Sequence, residues 1–171
     1  MPEVTGTRSR SWFTIEECPS PSTYRLFTPA SWPRCSARSR RVRLARRGGR
    51  PALGKVWEFI RSQPGLRTDG HNIFLYHHPT QPSAPILCDF GVEVTRTFET
   101  AGEVYATETQ GGEAAVAVHR GLYNRMNEAH DAIRKWMAAN RRESAGHSWE
   151  IYGDPTPDPA DTETTVVYLL K

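Results

Sequence analysis

Three kinds of feature are scarce in this 171-residue chain, and each scarcity closes off a class of protein. Cysteine occurs only three times, at Cys18, Cys35 and Cys88, an odd number without CxxC spacing. Neither a disulfide framework nor a zinc knuckle is indicated, and reduced thiols are expected. Long apolar runs are missing: no stretch approaches the 18 residues of a membrane span, and the opening MPEVTGTRSRSWF has no apolar segment of the secretory type. A soluble, cytoplasmic protein is expected. Phosphate-cradling and nucleophile motifs are lacking as well. Without a GxSxG, a P-loop or a GxGxxG, serine hydrolase, nucleoside triphosphate and dinucleotide chemistries have no local support. His71, His77, His78 and Cys88 fit no common zinc spacing, so neither a metal nor a cofactor is expected.

Lysine is absent from residues 1 to 50, where eleven Arg stand against three Glu, a charge of +8. Residues 51 to 171 carry 11 Lys and Arg against 16 Asp and Glu, a charge of −5, and the two parts sum to the net +3. The run RCSARSRRVRLARRGGR from Arg34 repels itself and offers no apolar face, so residues 1 to 50 are expected to be disordered or poorly packed. Clustered arginine neutralises phosphates without a fold, which gives this tail a weak nucleic-acid affinity at most. With an acidic body attached, wholesale nucleic-acid binding is not expected. Residues 51 to 171 form the domain proper, large enough for one core.

What is present is a repeat. GHNIFLYHHPT from Gly70 recurs 76 residues later as GHSWEIYGDPT from Gly146. A helix-like stretch precedes each copy: Leu53, Val56, Trp57 and Ile60 before Pro64-Gly65 in one, Met126, Ala129, Ile133, Trp136 and Met137 in the other. A β-rich segment follows each, ILCDFGVEV from Ile86 and TTVVYLL from Thr164. The 76-residue offset pairs Leu53 with Ala129, Val56 with Ala132, Trp57 with Ile133 and Ile60 with Trp136, so apolar falls on apolar. A duplicated unit of helix, strand and strand is the natural reading. EVYATETQ and EAAVAVHR flank Gly111-Gly112 and read as a hairpin. EAAVAVHR also serves as the opening strand of the second unit. Its counterpart, RSRRVRLA, is rich in arginine, and the opening strand of the first unit is expected to be poorly formed.

The copies differ where Phe74 becomes Glu150. If NIFLY and SWEIY are strands, alternation puts Ser148, Glu150 and Tyr152 on one face and Trp149 and Ile151 on the other, with Phe74 and Tyr76 on the matching face of the first copy. A carboxylate at an apolar position is a partly buried charge in need of a partner. A box of Phe74, Tyr76, Tyr152 and Glu150 favours flat, lipophilic cations, since rings supply area and cation–π attraction while the acid supplies charge. A bland alternative pairs Glu150 with Arg120 or with tyrosine hydroxyls. His119, Gly121 and Tyr123 lie at a strand-to-helix junction. There Tyr123 is equally a ligand contact or a packing residue, and His119 reads first as a hydrogen-bonded structural histidine.

KVWEFI, GHNIFLYHHP, AVHRGLYNRMNEAHDAIRKWMAAN and above all GHSWEIYGDPTPDPADTETTVVYLL resemble the GyrI-like small-molecule-binding domain, the effector-binding domain of some AraC-type and MerR-type regulators. The resemblance implies an α+β fold of duplicated β-α-β-β units about a pseudo-twofold axis, with an antiparallel sheet, two helices on one face and a ligand cleft between the units. It implies ligand-binding duty for Glu150 in its Glu-x-Tyr motif and places His119 and Tyr123 at the cleft's edge, while strand alternation gives that cleft Phe74, Tyr76 and Tyr152 as its lining. The expected function is a stand-alone binder that sequesters or senses a small amphipathic or cationic compound. Two alternatives stand beside it. One is hydrolysis of reactive cyclopropane-type genotoxins with Glu150 as general base and Tyr123 assisting; the other is the effector-sensing part of a transcription regulator.

Overall fold

The computed structural model describes residues 14–15, 23–27, 36–39, 42–43, 49–66, 71–81, 83–107 and 109–171. The poor packing expected of residues 1 to 50 falls largely outside them. The chain runs through β1 (Thr14–Ile15), β2 (Thr23–Phe27), β3 (Ser36–Ser39), β4 (Val42–Arg43), α1 (Gly49–Arg61), β5 (Asn72–His77), β6 (Leu87–Glu93), β7 (Val104–Thr107), β8 (Ala114–Arg120), α2 (Asn127–Ala139), β9 (Ser144–Tyr152) and β10 (Glu163–Leu170). These strands make one sheet in the order β1-β2-β8-β10-β9-β5-β6-β3-β7, with β4 also on β6. Every pairing is antiparallel. The fold is α+β, and among the described residues no helix is long and apolar enough to cross a membrane.

Each helix forms because its apolar residues fall on one stripe. Ala52, Val56 and Ile60 of α1 are buried, the latter two with Leu66, Val92 and Val94 and the first with Cys88 and Phe90. Ala129, Ile133 and Met137 of α2 are buried with Ala115, Ala117, Val166, Tyr168 and Leu170. Alanine at positions 115 and 117 leaves room for α2 to lie close, while Val116 between them points to the other face with Trp149, Val167 and Leu169. Each such large aliphatic side chain contributes roughly 1.5–3 kcal/mol on burial.

Direct cross-strand partners share a face. One row runs Phe90, Phe74, Glu150, Val166, Ala117 across β6, β5, β9, β10 and β8. The next runs Cys88, Tyr76, Ser148, Tyr168, Ala115. Since Phe90 and Cys88 pack with α1 and Ala117, Ala115 and Tyr168 pack with α2, both helices lie on the same face. α1 packs on β6, β3 and β7, and α2 on β8 and β10, so β5 and β9 lie between the strands that carry the helices.

One expected element is different. β7 and β8 are not a hairpin: β7 pairs with β3, while β8 lies between β10 and β2. Both edges of β8 are occupied, which leaves none for β7, and the Gly111-Gly112 stretch carries the chain across the sheet instead of reversing it. The position of the opening strand of the first unit is held by β3 and β4, two short strands on β6.

Candidate functional site

Alternation along β9 turns Trp149 and Ile151 into a core with Ile73, Leu75, Val116, Val167 and Leu169, and leaves Ser148, Glu150 and Tyr152 on the helix face. Phe74 and Tyr76 of β5 share that face, with Phe74 directly opposite Glu150 and Tyr76 opposite Ser148. The ring of Phe74 lies 4.7 Å from those of both Phe90 and Tyr152. Tyr123, in the turn before α2, stands edge-on to Tyr152 at 5.5 Å and is 56% exposed. These rings form a continuous aromatic wall from the interior to the surface.

Glu150 is 5% exposed and engages three donors. Tyr76 donates its hydroxyl to Oε2 at 2.8 Å and Tyr152 donates to the same oxygen at 2.6 Å. On the other side His130 Nε2 lies 2.9 Å from Oε1. The carboxylate accepts, so Nε2 carries a proton; Nδ1 lies 3.1 Å from the Tyr168 hydroxyl, accepting from it when the ring is neutral, and that hydroxyl's oxygen accepts from Arg134 at 3.2 Å. With the ring neutral, every donor in this network points toward Glu150. His78 extends it, with Nε2 2.6 Å from Ser148 Oγ and its ring stacked on Tyr168 at 5.7 Å.

The electrostatics follow from these contacts. Burial acts to raise the pKa of Glu150, but the hydrogen bonds from His130, Tyr152 and Tyr76 outweigh it and hold the acid below its ordinary value. The hydroxyls of Tyr76 and Tyr152 are driven far above the usual phenol range by burial and then by the adjacent negative charge, so both stay protonated donors. Burial, and after it His130 and Arg134, lowers the pKa of His78 and keeps that ring neutral. Arg134 is engaged at the surface by Asp131 at 2.7 Å.

Of the expected site residues, the structure brings Phe74, Tyr76, Tyr152 and Glu150 into direct contact or hydrogen bonding and sets Tyr123 at the rim. His119 is buried one strand beyond β10, opposite Thr164, and donates from Nε2 to the Leu122 carbonyl at 3.0 Å. Among the described residues, neither His119 nor Tyr123 hydrogen-bonds Glu150. Arg120 pairs with Glu163 at 2.5 Å on the surface, so the partners of the buried acid are two tyrosines and a histidine. His77 pairs with Asp89 at 2.8 Å, His71 lies 3.7 Å from Asp154, and among the described residues no three ligand-type side chains gather for a metal. Sequence reasoning missed His130, Tyr168 and Arg134. The signal was present: His130 follows Met126 by four residues and precedes Ile133 by three, a polar side chain on an otherwise apolar stripe.

This arrangement can be set beside known proteins. The chain belongs to the GyrI-like small molecule binding domain family, whose model matches residues 49–170. Among solved structures it is similar to the EcmrR C-terminal domain, with a TM-score of 0.68 and 18% identity over 90% of this chain and 99% of that one. EcmrR in a DNA complex superposes with a TM-score of 0.65 and 19% identity over 82% of this chain; the match spans 55% of that longer protein, just over half its length. A hydrolase from Listeria innocua is more distant, with a TM-score of 0.53 and 11% identity over 85% of this chain and 90% of that one. At such identities the likeness is one of fold. No curated protein matches in sequence. The domain is therefore a small-molecule-binding one, related in fold to the C-terminal domain of a DNA-binding protein.

Proposed function

We propose that the domain captures a flat, lipophilic cation between its two helices, with Phe74, Tyr152 and Tyr123 stacking on it, Tyr76 bounding it and Glu150 supplying the counter-charge. One observation carries this reading. Glu150 is a buried carboxylate, held below its ordinary pKa by its hydrogen-bond donors, that among the described residues no lysine or arginine reaches. A buried anion flanked by ring faces attracts a ligand cation through both charge and ring quadrupoles. The register supports the duplication read from the sequence: Phe74 and Glu150, equivalent positions of the repeat, are cross-strand partners. The family model over residues 49–170, a small molecule binding domain, favours binding as the role. The role is that of a binder that sequesters its ligand or of the effector-sensing component of a regulator. Any nucleic-acid affinity comes weakly from the arginine-rich residues 1 to 50.

The hydrolase reading has less support. A general base must offer a lone pair to water, and Glu150 already accepts from three donors that lower its basicity. Tyr123, the proposed assistant, makes no hydrogen bond to it. Tryptophan fluorescence titrated with a flat cation and with a neutral molecule of the same outline tests the binding reading. Saturable quenching by the cation is expected, and Glu150→Gln should weaken the cation at least about tenfold, one charge contact of roughly 1.4 kcal/mol, while changing the neutral molecule little. Equal loss for both, or quenching by neither, overturns it.

A further inference from the structure

We propose that His130 sets the charge that the site presents, and that binding of a cation is coupled to release of a proton from this imidazole. The inference rests on the cation-binding reading above and adds its regulation. The ring is 16% exposed and is fixed at both nitrogens, by Glu150 Oε1 at 2.9 Å and by the Tyr168 hydroxyl at 3.1 Å. As imidazolium it cancels the carboxylate, and a ligand cation entering beside Glu150 then meets a like charge about one side chain away. As neutral imidazole it still donates to Glu150 and leaves the full negative charge for the ligand. A cation thus binds the neutral form more tightly, and by linkage its binding expels the proton.

The groups that face His130 from every element packed against it keep a fixed charge near neutral pH. From β9 come Glu150 and, through the shared carboxylate, Tyr152; from β5, Tyr76; both hydroxyls stay protonated. From β10 comes Tyr168, whose pKa burial raises, so it too stays neutral. From the segment after β5 comes His78, kept neutral. On α2 itself, Arg134 and Asp131 form an exposed pair of cancelling charge. Histidine is the side chain whose charge ordinarily changes between pH 5 and 8. The exit for the proton is short, since Tyr168 next to Nδ1 is bonded to Arg134, half-exposed on the surface.

The test is isothermal titration calorimetry of the full chain with N-methylacridinium, a permanent flat cation, and N-methylacridone, a neutral molecule of like outline. Each is run near pH 6.5 in two buffers of different ionisation enthalpy, on wild type and His130→Gln. The expected result is release of a fraction of one proton with the cation and none with the neutral ligand. Cation affinity should fall on acidification by no more than about tenfold per pH unit, the limit for one proton. His130→Gln, which keeps a donor but cannot titrate, should bind the cation with no proton release and no such slope. Cation binding without proton release in wild type, or equal release in the variant or with the neutral ligand, overturns the coupling and leaves the binding reading standing. The wild-type count decides even if the variant does not fold. Binding of neither ligand overturns the binding reading, and the coupling falls with it.

Discussion

Phe74 and Glu150 face each other directly across the β5–β9 ladder, a ring and a carboxylate at equivalent positions of a repeated segment. The ring completes the aromatic wall with Phe90 and Tyr152, and the acid gathers the hydroxyls of Tyr76 and Tyr152. Two copies of phenylalanine would make this seam wholly apolar, and two of glutamate would set like charges side by side. One of each gives a single buried charge with an apolar partner.

The two tyrosine hydroxyls sharing Oε2 are expected to be worth more together than apart. Tyr76→Phe and Tyr152→Phe should each lower stability by about 1.5–3 kcal/mol, the range for bonds to a charged group. The double variant should depart from additivity, because both act on one oxygen. Urea unfolding of the single and double variants checks this, and additive losses would show that the two bonds are independent.

Acid should destabilise the fold through Glu150. Its folded-state pKa is depressed below the ordinary glutamate value, so its stabilisation is complete above that value, near 4.3, and is lost as pH falls through the lower folded one. Thermal melts from pH 6 down to 2.5 should therefore decline below about pH 4.5. In Glu150→Gln the decline should be shallower. An identical acid profile for the variant would assign the transition to other carboxylates, such as Glu113 under Arg142.

Gly153, which ends β9 just after Tyr152, is predicted to tolerate no side chain. A Cβ there would lie 2.9 Å from the backbone oxygen of Glu163, the same oxygen that accepts from the Gly153 amide. Backbone cannot yield as a flexible side chain can, so Gly153→Ala should cost about 1–3 kcal/mol. It should also weaken ligand binding by displacing Tyr152. Denaturant midpoints read the first effect and ligand titration the second.

Thr164→Val should go the other way. The Thr164 hydroxyl is buried and has no hydrogen-bond partner among the described residues, between Tyr152 and His119 in the sheet. Replacing it with an isosteric methyl removes an unpaid desolvation cost, and stability should rise or stay level, by up to about 1 kcal/mol. A loss above about 1 kcal/mol in thermal or chemical unfolding would show that the hydroxyl is satisfied in solution.

Much of this was legible because the governing periodicities are local. The stripes Val56/Ile60 and Ala129/Ile133/Met137, and the alternation in NIFLY and SWEIY, record which side chains meet a helix face or a sheet face. The family resemblance and the α+β class followed from the same segments. Pairing is not local, and there the reading erred: Gly111-Gly112 suggested a hairpin, yet whether β7 can reach β8 depends on β10 and β2 having taken its edges. His130 was overlooked for a related reason. One polar residue on an apolar stripe usually sits at a helix margin, and only the placement of β9 beside β10, on which α2 packs, shows that a carboxylate awaits it.

The central ladder also bears on how the chain reaches this state. β6 joins β5 and β10 joins β9 through short connections, whereas the Tyr76–Glu150 bond spans 74 positions. Closing so long a loop costs entropy before any contact rewards it. The two halves should thus acquire their own strands and helices early and meet along this seam late. The bond from the Tyr76 hydroxyl to Glu150 is then among the last contacts to form.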